Sequence, residues 1–598
     1  MHKHNVEINV ANIIDGQTLP AASVMHGMVF KHNTYDVKDL PIQETYDMII
    51  AGSGISGLSA AHFYQEKFGR DKKVLILDPL NHFGGHAHRN EFNINGNHLL
   101  GYGGSESFQS PKLNFSKTVH DLMKFLKVET TKFEKEFFNQ TTYSKLGLSR
   151  GTFFGAEKFE KDTLAIGDPT AWVSDEVLPE NLNAKSFKEF FSQFPMAQAS
   201  KDQLLELFTK KKSTLSRFSN HKDKADFLTT ISYEQFLREE WKLSEEAILY
   251  FYQRTIDFFG LPISQIPTSD AFHYGLPGIH GIELPIEHKE NELGPLDEPY
   301  VYHFPDGNSS LARLLIRSLI PTIAEGKTMD DIVLDKFKTE ELDSVNNSVR
   351  IRLGFTVVYA ANTSDGFVDI GIVKNADGSL HRLKAKHTTL ACFNMVIPFI
   401  HKDLKEDQAQ ALSMNVKVPM VYSNVVLNNW KSWVKLGVHE IYGVNTFHSR
   451  IKLDYSVKMG GYSGPTDPSQ PIVVHMVHIP TVPASTDVRA ALRQSRKTFF
   501  AIKPEDFEKH IIDDLTRMLG PGGFNAQIDI AAINVNRWSH GYAFGANTLI
   551  ESKAESTRIM NLARQRVGNI TIANSDAGWS AYAHTAIDEA CRAVNELE

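Results

Sequence analysis

Three glycines and one aspartate have the types and the spacing needed to hold a pyrophosphate and a ribose. Gly52, Gly54 and Gly57 form the pattern G-x-G-x-x-G, and Asp78 follows 21 residues after the last of them. The first glycine permits a tight turn, the second allows close approach of a pyrophosphate, and the third allows helix and strand to pack closely. Asp78 can accept hydrogen bonds from ribose hydroxyls. We predict a dinucleotide site that includes Ser53; the alternative is a strand-helix turn without a ligand.

The sequence on either side of these residues predicts the strands and the helix that position them. Met48 to Ala51 is a short apolar run typical of a strand buried on both faces. Leu58 to Lys67 has helical apolar spacing, and Val74 to Leu77 forms a second apolar run. The helix N-terminus offers unpaired N–H groups and a partial positive charge to the phosphates. The order strand, glycine loop, helix, strand and terminal acid predicts a Rossmann-like unit.

Length and composition place this unit in a larger globular protein. With 598 residues the chain exceeds one hydrophobic core, so two or more domains are expected. The net charge of −8 argues against nucleic acid or an anionic membrane as a partner. Cys392 and Cys591, the two cysteines of the chain, exclude a disulfide framework. No apolar run has the length of a membrane span and no signal peptide is visible, so we expect cytoplasmic residence.

Further strands and helices are predicted between this unit and the end of the chain. Alternation of apolar residues indicates strands, and a longer apolar period indicates a helix. The predicted strands are Val349 to Ala360, His387 to Ala391, Ile472 to His478 and Ile570 to Ala573, and a helix is predicted at Phe507 to Leu519.

Several longer motifs resemble the flavin amine oxidase superfamily, and more narrowly the bacterial spermidine dehydrogenases. The paired glycines Gly84-Gly85 and Gly103-Gly104 resemble the FAD signature of that superfamily. The segments Gly101 to Lys112, Phe304 to Pro321 and Asn536 to Ala543 resemble the spermidine dehydrogenases. The resemblance runs from about Tyr46 to the C-terminus. It implies an α/β, two-domain (α+β) architecture in which a discontinuous substrate domain interrupts an FAD/NAD(P)-binding Rossmann-like domain.

The resemblance also implies domain boundaries. Residues 1–45 form an N-terminal extension that carries several histidines. The FAD-binding domain takes residues 46–115, 301–410 and 545–598, and the substrate domain takes residues 116–300 and 411–544.

The family's FAD contacts carry over to individual positions. His86 stands where amine oxidases have an arginine, after the glycine pair. Val357 matches the residue that meets the adenine through its backbone, and Asp576 matches the acid that lines the ribityl and pyrophosphate groups. The residues themselves are equally compatible with an Asx turn at Asp576. The implied FAD-binding residues are Gly52, Ser53, Gly54, Gly57, Asp78, Gly84, Gly85, His86, Gly103, Val357 and Asp576.

Four aromatic residues and one acid carry the implied substrate site. Tyr542 and Tyr582 resemble the two facing walls of the amine oxidase aromatic cage, with Trp538 and Trp579 beside them. Facing rings suit an amine and a developing cation, although such residues taken alone are more often core aromatics. Glu106 is expected to face the cavity and to pair with an ammonium group. Read alone, Glu106 would be a surface acid.

The implied activity is FAD-dependent oxidation of an amine, with a polyamine such as spermidine as substrate. Hydride passes from the α-carbon to the flavin, and water hydrolyses the resulting imine. The lysine that many superfamily members hold near the flavin has no clear counterpart, although His401 and Lys402 lie near the expected place. The alternatives are a desaturase or oxidase of a non-amine substrate and a non-catalytic flavin-binding protein. The sequence indicates neither the electron acceptor nor the oligomeric state.

Two cofactor questions arise from the same resemblance. Gly541 occupies the position where some superfamily members carry a cysteine bonded to the flavin, so FAD is expected to be held non-covalently. Spermidine dehydrogenases are associated with haem b, and His26 and His32 are the nearest candidate ligands by position. Lone histidines are usually solvated or hydrogen-bonded, which is the alternative for both.

Overall fold

The predicted dinucleotide unit lies in a seven-stranded sheet. The computed structural model describes residues 11–16 (backbone), 26–30, 35–170, 176–282, 284, 300–454, 457–482 and 487–598. Five strands of this first sheet run parallel, and a hairpin extends it on one side. The order is Val349–Leu353, Val74–Asp78, Ile42–Ala51, Leu380–Leu390, Val368–Lys374 and Phe355–Asn362, with Ile570–Ile572 pairing with the end of Leu380–Leu390.

The second sheet has eight strands. Its centre is the antiparallel pair Val418–Leu427 and Ile530–Tyr542, in which Val418 lies opposite Tyr542 and Met420 opposite Trp538. The full order is Ala11–Gly16, Ile530–Tyr542, Val418–Leu427, Ile472–His478, Arg450–Leu453, Val438–Val444, Ser149–Phe154 and Thr163–Ile166. Two small hairpins, Arg89–Ile94 with Asn97–Tyr102 and Lys458–Met459 with Tyr462–Ser463, complete the strands of the described residues.

Helices cover both sheets. Ile55–Phe68 follows the glycine loop, is buried along most of its length and packs against Ala583–Asn595. The other helices of at least eight residues in the described part are Lys117–Phe125, Gln198–Thr209, His221–Leu228, Ser309–Leu319, Glu406–Ser413, Val488–Ala501, Pro504–Leu519 and Lys553–Ala563. The shorter ones are Pro111–Asn114, Thr130–Lys132, Phe187–Ser192, Tyr233–Glu239, Glu245–Leu249, Ile256–Phe259, Thr268–His273, Ile397–Ile400, Lys431–Leu436 and Ala526–Asp529. Within the described ranges, no helix has the length and apolar character needed to cross a bilayer.

One sequence expectation needs correction. The single strand predicted at 349–360 is wrong, because Gly354 adopts a φ of 75° and divides Val349–Leu353 from Phe355–Asn362. The first of these strands pairs with Val74–Asp78 and the second with Val368–Lys374. Residues 11–16, in the predicted N-terminal extension, pair in parallel with residues 532–537 of the second sheet. The domain boundaries themselves stay a prediction.

Candidate active site

The glycine loop has the geometry that its sequence predicts. A Cβ added at Gly57 would lie 1.9 Å from the Gly52 carbonyl oxygen, so the helix can approach the loop this closely only with glycine there. Gly52 has a φ of 115°, which favours glycine. A Cβ at Gly54 would meet only the Gly84 carbonyl oxygen, at 3.8 Å. Gly54 therefore faces open space, where a ligand can approach the backbone.

The second glycine pair lies directly against the first loop. Gly84 forms a parallel bridge with Gly54, and its amide donates to the Ser53 carbonyl at 3.0 Å. A Cβ at Gly85 would lie 3.3 Å from the Gly54 Cα. Gly84 and Gly85 both have positive φ angles, of 96° and 58°. Two glycine loops that are distant in sequence thus form one floor.

Asp78, at the end of the second strand, holds the glycine loop in place through hydrogen bonds. One carboxylate oxygen accepts hydrogen bonds from the Ser53 amide at 2.8 Å and the Ser53 hydroxyl at 2.7 Å. The other oxygen accepts from the Leu80 amide at 2.9 Å. Burial raises the pKa of Asp78, and these hydrogen bonds act in the opposite direction. A carboxylate has about four acceptor positions, so Asp78 retains one for a ribose hydroxyl.

A cavity of about 630 Å³, called here the inner cavity, opens above this floor. It lies at the carboxyl ends of the parallel strands, where ligands bind in open α/β sheets. Gly52, Asp78, Ala391 and Asn574, which end or follow four of these strands, all line it. The predicted residues that line it are Gly52, Gly54, Asp78, Gly84, Gly85, His86, Glu106, Val357, Trp538, Tyr542, Asp576 and Tyr582.

Asp576 lines the inner cavity together with a lysine that sequence reasoning missed. The Asp576 carboxylate forms an ion pair with Lys417 and accepts the Asn394 amide at 3.1 Å. The side chains of Asp576 and Lys417 are 1% and 2% exposed, so both charges are buried and compensate each other. The Lys417 ammonium also lies 5.0 Å from the centre of the Phe393 ring. Lys417 therefore places a fixed positive charge on the cavity wall.

His401 and Lys402 were considered as counterparts of the lysine that amine oxidases hold near the flavin, and both lie away from the inner cavity. Neither His401 nor Lys402 is among the residues that line the inner cavity in the described part of the chain. The Lys402 ammonium donates to the Phe399 carbonyl at 3.0 Å. One feature of the sequence could have identified Lys417 as a site residue: it is a charged residue directly before the buried strand Val418–Leu427.

His86, which the sequence places after the second glycine pair, lines the inner cavity with a neutral ring. Burial and then the nearby charge of Lys417 lower the pKa of His86 to about 3. Its Nε2 has no hydrogen-bond partner among the described residues. The ring lies edge-on to Trp538, with centroids 4.9 Å apart. The Trp538 indole N–H donates to the Gly103 carbonyl at 2.6 Å, which fixes this wall to the second glycine turn.

Tyr542 and Tyr582 both face the inner cavity. The Tyr542 hydroxyl lies 3.1 Å from the Tyr422 hydroxyl and 3.3 Å from the Asp257 carbonyl oxygen. The Tyr582 ring stacks on His584, with ring centres 5.5 Å apart. Burial raises the pKa of both tyrosines, so they are neutral phenols. Both side chains thus contribute aromatic surface to the lining.

Trp579 does not belong to this wall, contrary to expectation. It is 6% exposed, belongs to the apolar core and lies 5.7 Å from Phe544 between ring centres. Its φ of 49° turns the chain after the short helix at Ser575–Gly578, so the side chain leaves the cavity. Three predicted cofactor residues also lie behind the lining. Ser53 and Gly57 support the loop, and Gly104 lines the cavity in place of Gly103.

Glu106 is a partly buried member of a charge cluster and not the surface acid that it would be if read alone. Lys452 contacts Glu106 at 2.7 Å and also pairs with Glu176. Burial raises the pKa of Glu106, but Lys452, Glu176 and two nearby histidines together lower that pKa well below its usual range. Burial raises the pKa of Glu176 to about 8, so this carboxyl is mostly protonated at neutral pH. Glu106 is therefore ionised, but its charge is already partly compensated.

The motif around Gly307 holds Glu106 in place. The Asn308 side-chain amide donates to the Ser105 hydroxyl at 2.8 Å and to the Ser107 carbonyl at 3.1 Å. Gly307 has a φ of 63°, and a Cβ there would lie 2.6 Å from the Ser105 carbonyl oxygen. The turn thus fits against residues 105–107 and presents Glu106 to the cavity.

Two solved amine oxidases superpose on nearly the whole chain. Cyclohexylamine oxidase from Brevibacterium oxydans IH-35A gives a TM-score of 0.52 at 14% identity, covering 92% of this chain and 98% of that one. Wild-type putrescine oxidase bound to putrescine gives 0.50 at 15% identity, covering 92% and 97%. This chain shares their fold. A fatty acid isomerase from P. acnes also matches, with a TM-score of 0.49 at 13% identity, covering 92% and 98%.

Sequence comparison supports the dinucleotide-binding part of the fold. Residues 50–124 match the family described as an NAD(P)-binding Rossmann-like domain. No curated protein matches the chain in sequence. The predicted α/β fold with a Rossmann-like domain is confirmed. Because the structural neighbours are so distant in sequence, the likeness establishes the fold, and the substrate must be argued from the residues of the site.

One predicted haem ligand lies at the inner cavity and the other lies outside the described residues. His26 lines the cavity, with its ring centre 5.9 Å from that of His540. Burial and then the charge of Arg496 lower the pKa of His26. His32 is not among the described residues. The described chain contains no group of three or more His, Cys, Asp or Glu residues that could hold a metal ion. Haem binding therefore has no support from the contacts of His26.

Proposed function

We propose that this protein is an FAD-dependent oxidoreductase that oxidises an amine. The observation that carries the proposal is the continuity of the inner cavity. One cavity extends from the glycine loop at Gly54 past Asp576 and Lys417 to the facing tyrosines Tyr542 and Tyr582. A dinucleotide at one end and an amine at the other fit this arrangement of residues.

The residues at the first end fit FAD. Gly54 leaves room for a pyrophosphate, and the first helical residues, Ile55 and Ser56, line the cavity where phosphates bind helix N-termini. The Ser56 hydroxyl has no partner among the described residues, as expected of a group that awaits a ligand. Val357 lines the cavity next to Asp78, Pro79 and Leu80, which is suited to an adenosine.

FAD, when bound, supplies the two-electron acceptor for a hydride. The amine loses a hydride from its α-carbon and a proton from its nitrogen, and water hydrolyses the imine to a carbonyl compound and an amine or ammonia. Tyr542 and Tyr582 orient the substrate, and their ring faces favour the positive charge that develops on it. The reacting nitrogen must be in its neutral form to release a hydride, and the mostly apolar surroundings of the cavity favour that form. The apolar lining excludes water from the transfer.

The finer part of the proposal is that the substrate is a polyamine such as spermidine. Glu106 supports it, because it presents an ionised carboxylate to the inner cavity. A desaturase acting on an apolar polyene is favoured by no residue here, since Glu106 and Lys417 place charges on the lining. A non-catalytic flavin protein would lack a cavity beside the flavin, whereas Tyr542 and Tyr582 line one.

Reduction of the flavin by amines tests this function directly. Purified protein loaded with FAD should lose its visible flavin absorbance when mixed anaerobically with spermidine or putrescine. The matched control is the alcohol with the same carbon chain, which should leave the flavin oxidised. If no amine in a broad panel reduces the flavin, amine oxidation is wrong. Reduction by an apolar polyene instead would support the desaturase alternative.

Non-covalent binding of FAD is a second expectation. A Cβ at Gly541 would lie 2.5 Å from the Met420 sulfur, so this position has no room for the linking side chain found in some relatives. Cys392 also lines the cavity, but burial raises its pKa to about 12, which keeps the thiol protonated and unreactive. Denaturation followed by centrifugation should leave all FAD in the supernatant. Flavin in the precipitated protein would contradict the expectation.

A further inference from the structure

A second cavity of about 600 Å³, called here the outer cavity, adjoins the inner one. Tyr582 and Ala543 line both cavities, and neighbouring residues divide between them: Phe258 lines the inner cavity and Phe259 the outer. The outer cavity reaches the surface, because Leu113 on its lining is 65% exposed. A molecule entering here would meet Tyr582 before it reached the inner cavity.

The partition between the cavities is aromatic and narrow. Tyr274 lies 4.7 Å from Phe258 and 4.9 Å from Phe259 between ring centres. The Tyr582 side chain lines both cavities and therefore forms part of the partition. Because Tyr582 is only partly buried, rotation of its side chain can open the partition for an aliphatic chain.

Among the described residues that line the outer cavity, Asp270 is the one that carries a carboxylate. Asp270 lies four residues before Tyr274 on the same short helix segment and lines the cavity. Its one side-chain hydrogen bond in the described structure is a long one, 3.3 Å, from the Ser269 hydroxyl. No salt bridge joins it to a described cation, although Lys553 acts on it from a distance. The described lining includes no lysine or arginine.

The surroundings of Asp270 favour a bound cation. A mostly buried carboxylate without a paired cation is costly unless a ligand compensates its charge. Burial raises the pKa of Asp270 to about 6, so it is ionised at neutral pH. Burial also lowers the pKa of the nearby His584 to about 4, so that ring is neutral and does not compete. Glu106, by contrast, is already paired with Lys452.

We propose that the outer cavity binds the far end of an elongated amine substrate and that Asp270 pairs with a second ammonium group there. The inference rests on the proposed function and adds to it a second binding site for the distal end of the amine. The reacting nitrogen lies between Tyr542 and Tyr582, the aliphatic chain passes Tyr582, and the distal ammonium meets Asp270. A diamine then binds more tightly than a monoamine of equal length.

The test compares 1,8-diaminooctane with n-octylamine on the FAD-loaded protein. The concentration dependence of anaerobic flavin reduction gives an apparent dissociation constant for each amine. Asp270→Asn should raise this constant at least tenfold for the diamine and less than twofold for the monoamine. Asp270→Glu, which keeps the charge, is the matched variant and should restore part of the affinity. Thermal melting and flavin content should be unchanged in all variants.

Titration calorimetry of both amines separates failure of the inference from failure of the proposed function. If the flavin is reduced but Asp270→Asn affects both amines equally or neither, the outer site is wrong and amine oxidation stands. If neither amine reduces the flavin while diamine binding still depends on Asp270, the site stands and the function is wrong. Absence of diamine binding to the unmodified protein overturns the site.

Discussion

Gly54→Val is expected to give a folded protein that no longer retains FAD. Gly54 has a φ of −70° and a ψ of 177°, which valine adopts without strain. The nearest atom to an added Cβ is 3.8 Å away, so the protein itself accommodates the side chain. The new methyl groups instead occupy the space needed by a pyrophosphate. FAD occupancy after purification should fall at least tenfold, measured from the flavin absorbance relative to protein.

Gly57→Ala is the matched control in the same motif. Its Cβ would lie 1.9 Å from the Gly52 carbonyl oxygen, and relief of that overlap requires movement of the backbone. We expect a loss of at least ~2 kcal/mol in the free energy of unfolding. Both variants are compared with unmodified protein freed of FAD, because a bound ligand itself adds stability. Full FAD occupancy in Gly54→Val would contradict the assignment of the motif.

The cofactor end could be predicted because its determinants are local in sequence. Gly52, Gly54, Gly57 and Asp78 lie within one strand-helix-strand unit, and glycine is needed there for steric reasons that hold in any such unit. Asp576, which lies near the same sheet edge after the strand Ile570–Ile572, was expected there from the resemblance and not from local spacing. Residue type and spacing are enough where the backbone alone forms the site.

The substrate end could not be predicted in full, because it depends on packing between distant segments. Lys417 meets Asp576 across 159 positions of sequence, and Lys452 meets Glu106 across 346. A lysine directly before an apolar strand indicates that its ammonium group is buried, but the sequence does not show which carboxylate pairs with it. Trp579 shows the converse error, since only two residues lie between it and Tyr582 and yet Trp579 is packed in the core. Its positive φ is a property of the folded turn.

The two sheets contribute different parts of the candidate site: the first carries the cofactor end and the second the substrate end. The carboxyl ends of the first sheet supply backbone groups and acids, which suit a cofactor that is recognised by its phosphates and ribose. The second sheet supplies Lys417, Trp538 and Tyr542 at the ends of adjacent antiparallel strands. Val418 lies opposite Tyr542 in the register, and Met420 lies opposite Trp538. The pairing of these two strands therefore brings the substrate-site residues of separate segments to one edge of the second sheet.

Tyr542→Ala and Tyr582→Ala are expected to slow flavin reduction by the best amine substrate about 100-fold each. Both rings line the inner cavity and are only partly buried, so truncation enlarges a space that already exists. A substrate that loses one wall samples orientations in which its α-carbon is displaced from the acceptor, and a displacement of about 1 Å can cost ~100-fold in rate. FAD content should stay unchanged. Stopped-flow absorbance gives the rate, and thermal melting gives the stability.

Trp579→Phe is the matched control, because Trp579 packs on Phe544 and Arg489 behind the same turn. Loss of buried ring area there should lower the melting temperature while the rate of flavin reduction in the folded protein stays within twofold. The opposite pattern, in which the tyrosine variants melt early yet reduce their flavin at the normal rate, would make Tyr542 and Tyr582 core residues. The contrast is informative because Tyr582 and Trp579 belong to one short segment, so a general disturbance of that segment would affect both variants alike.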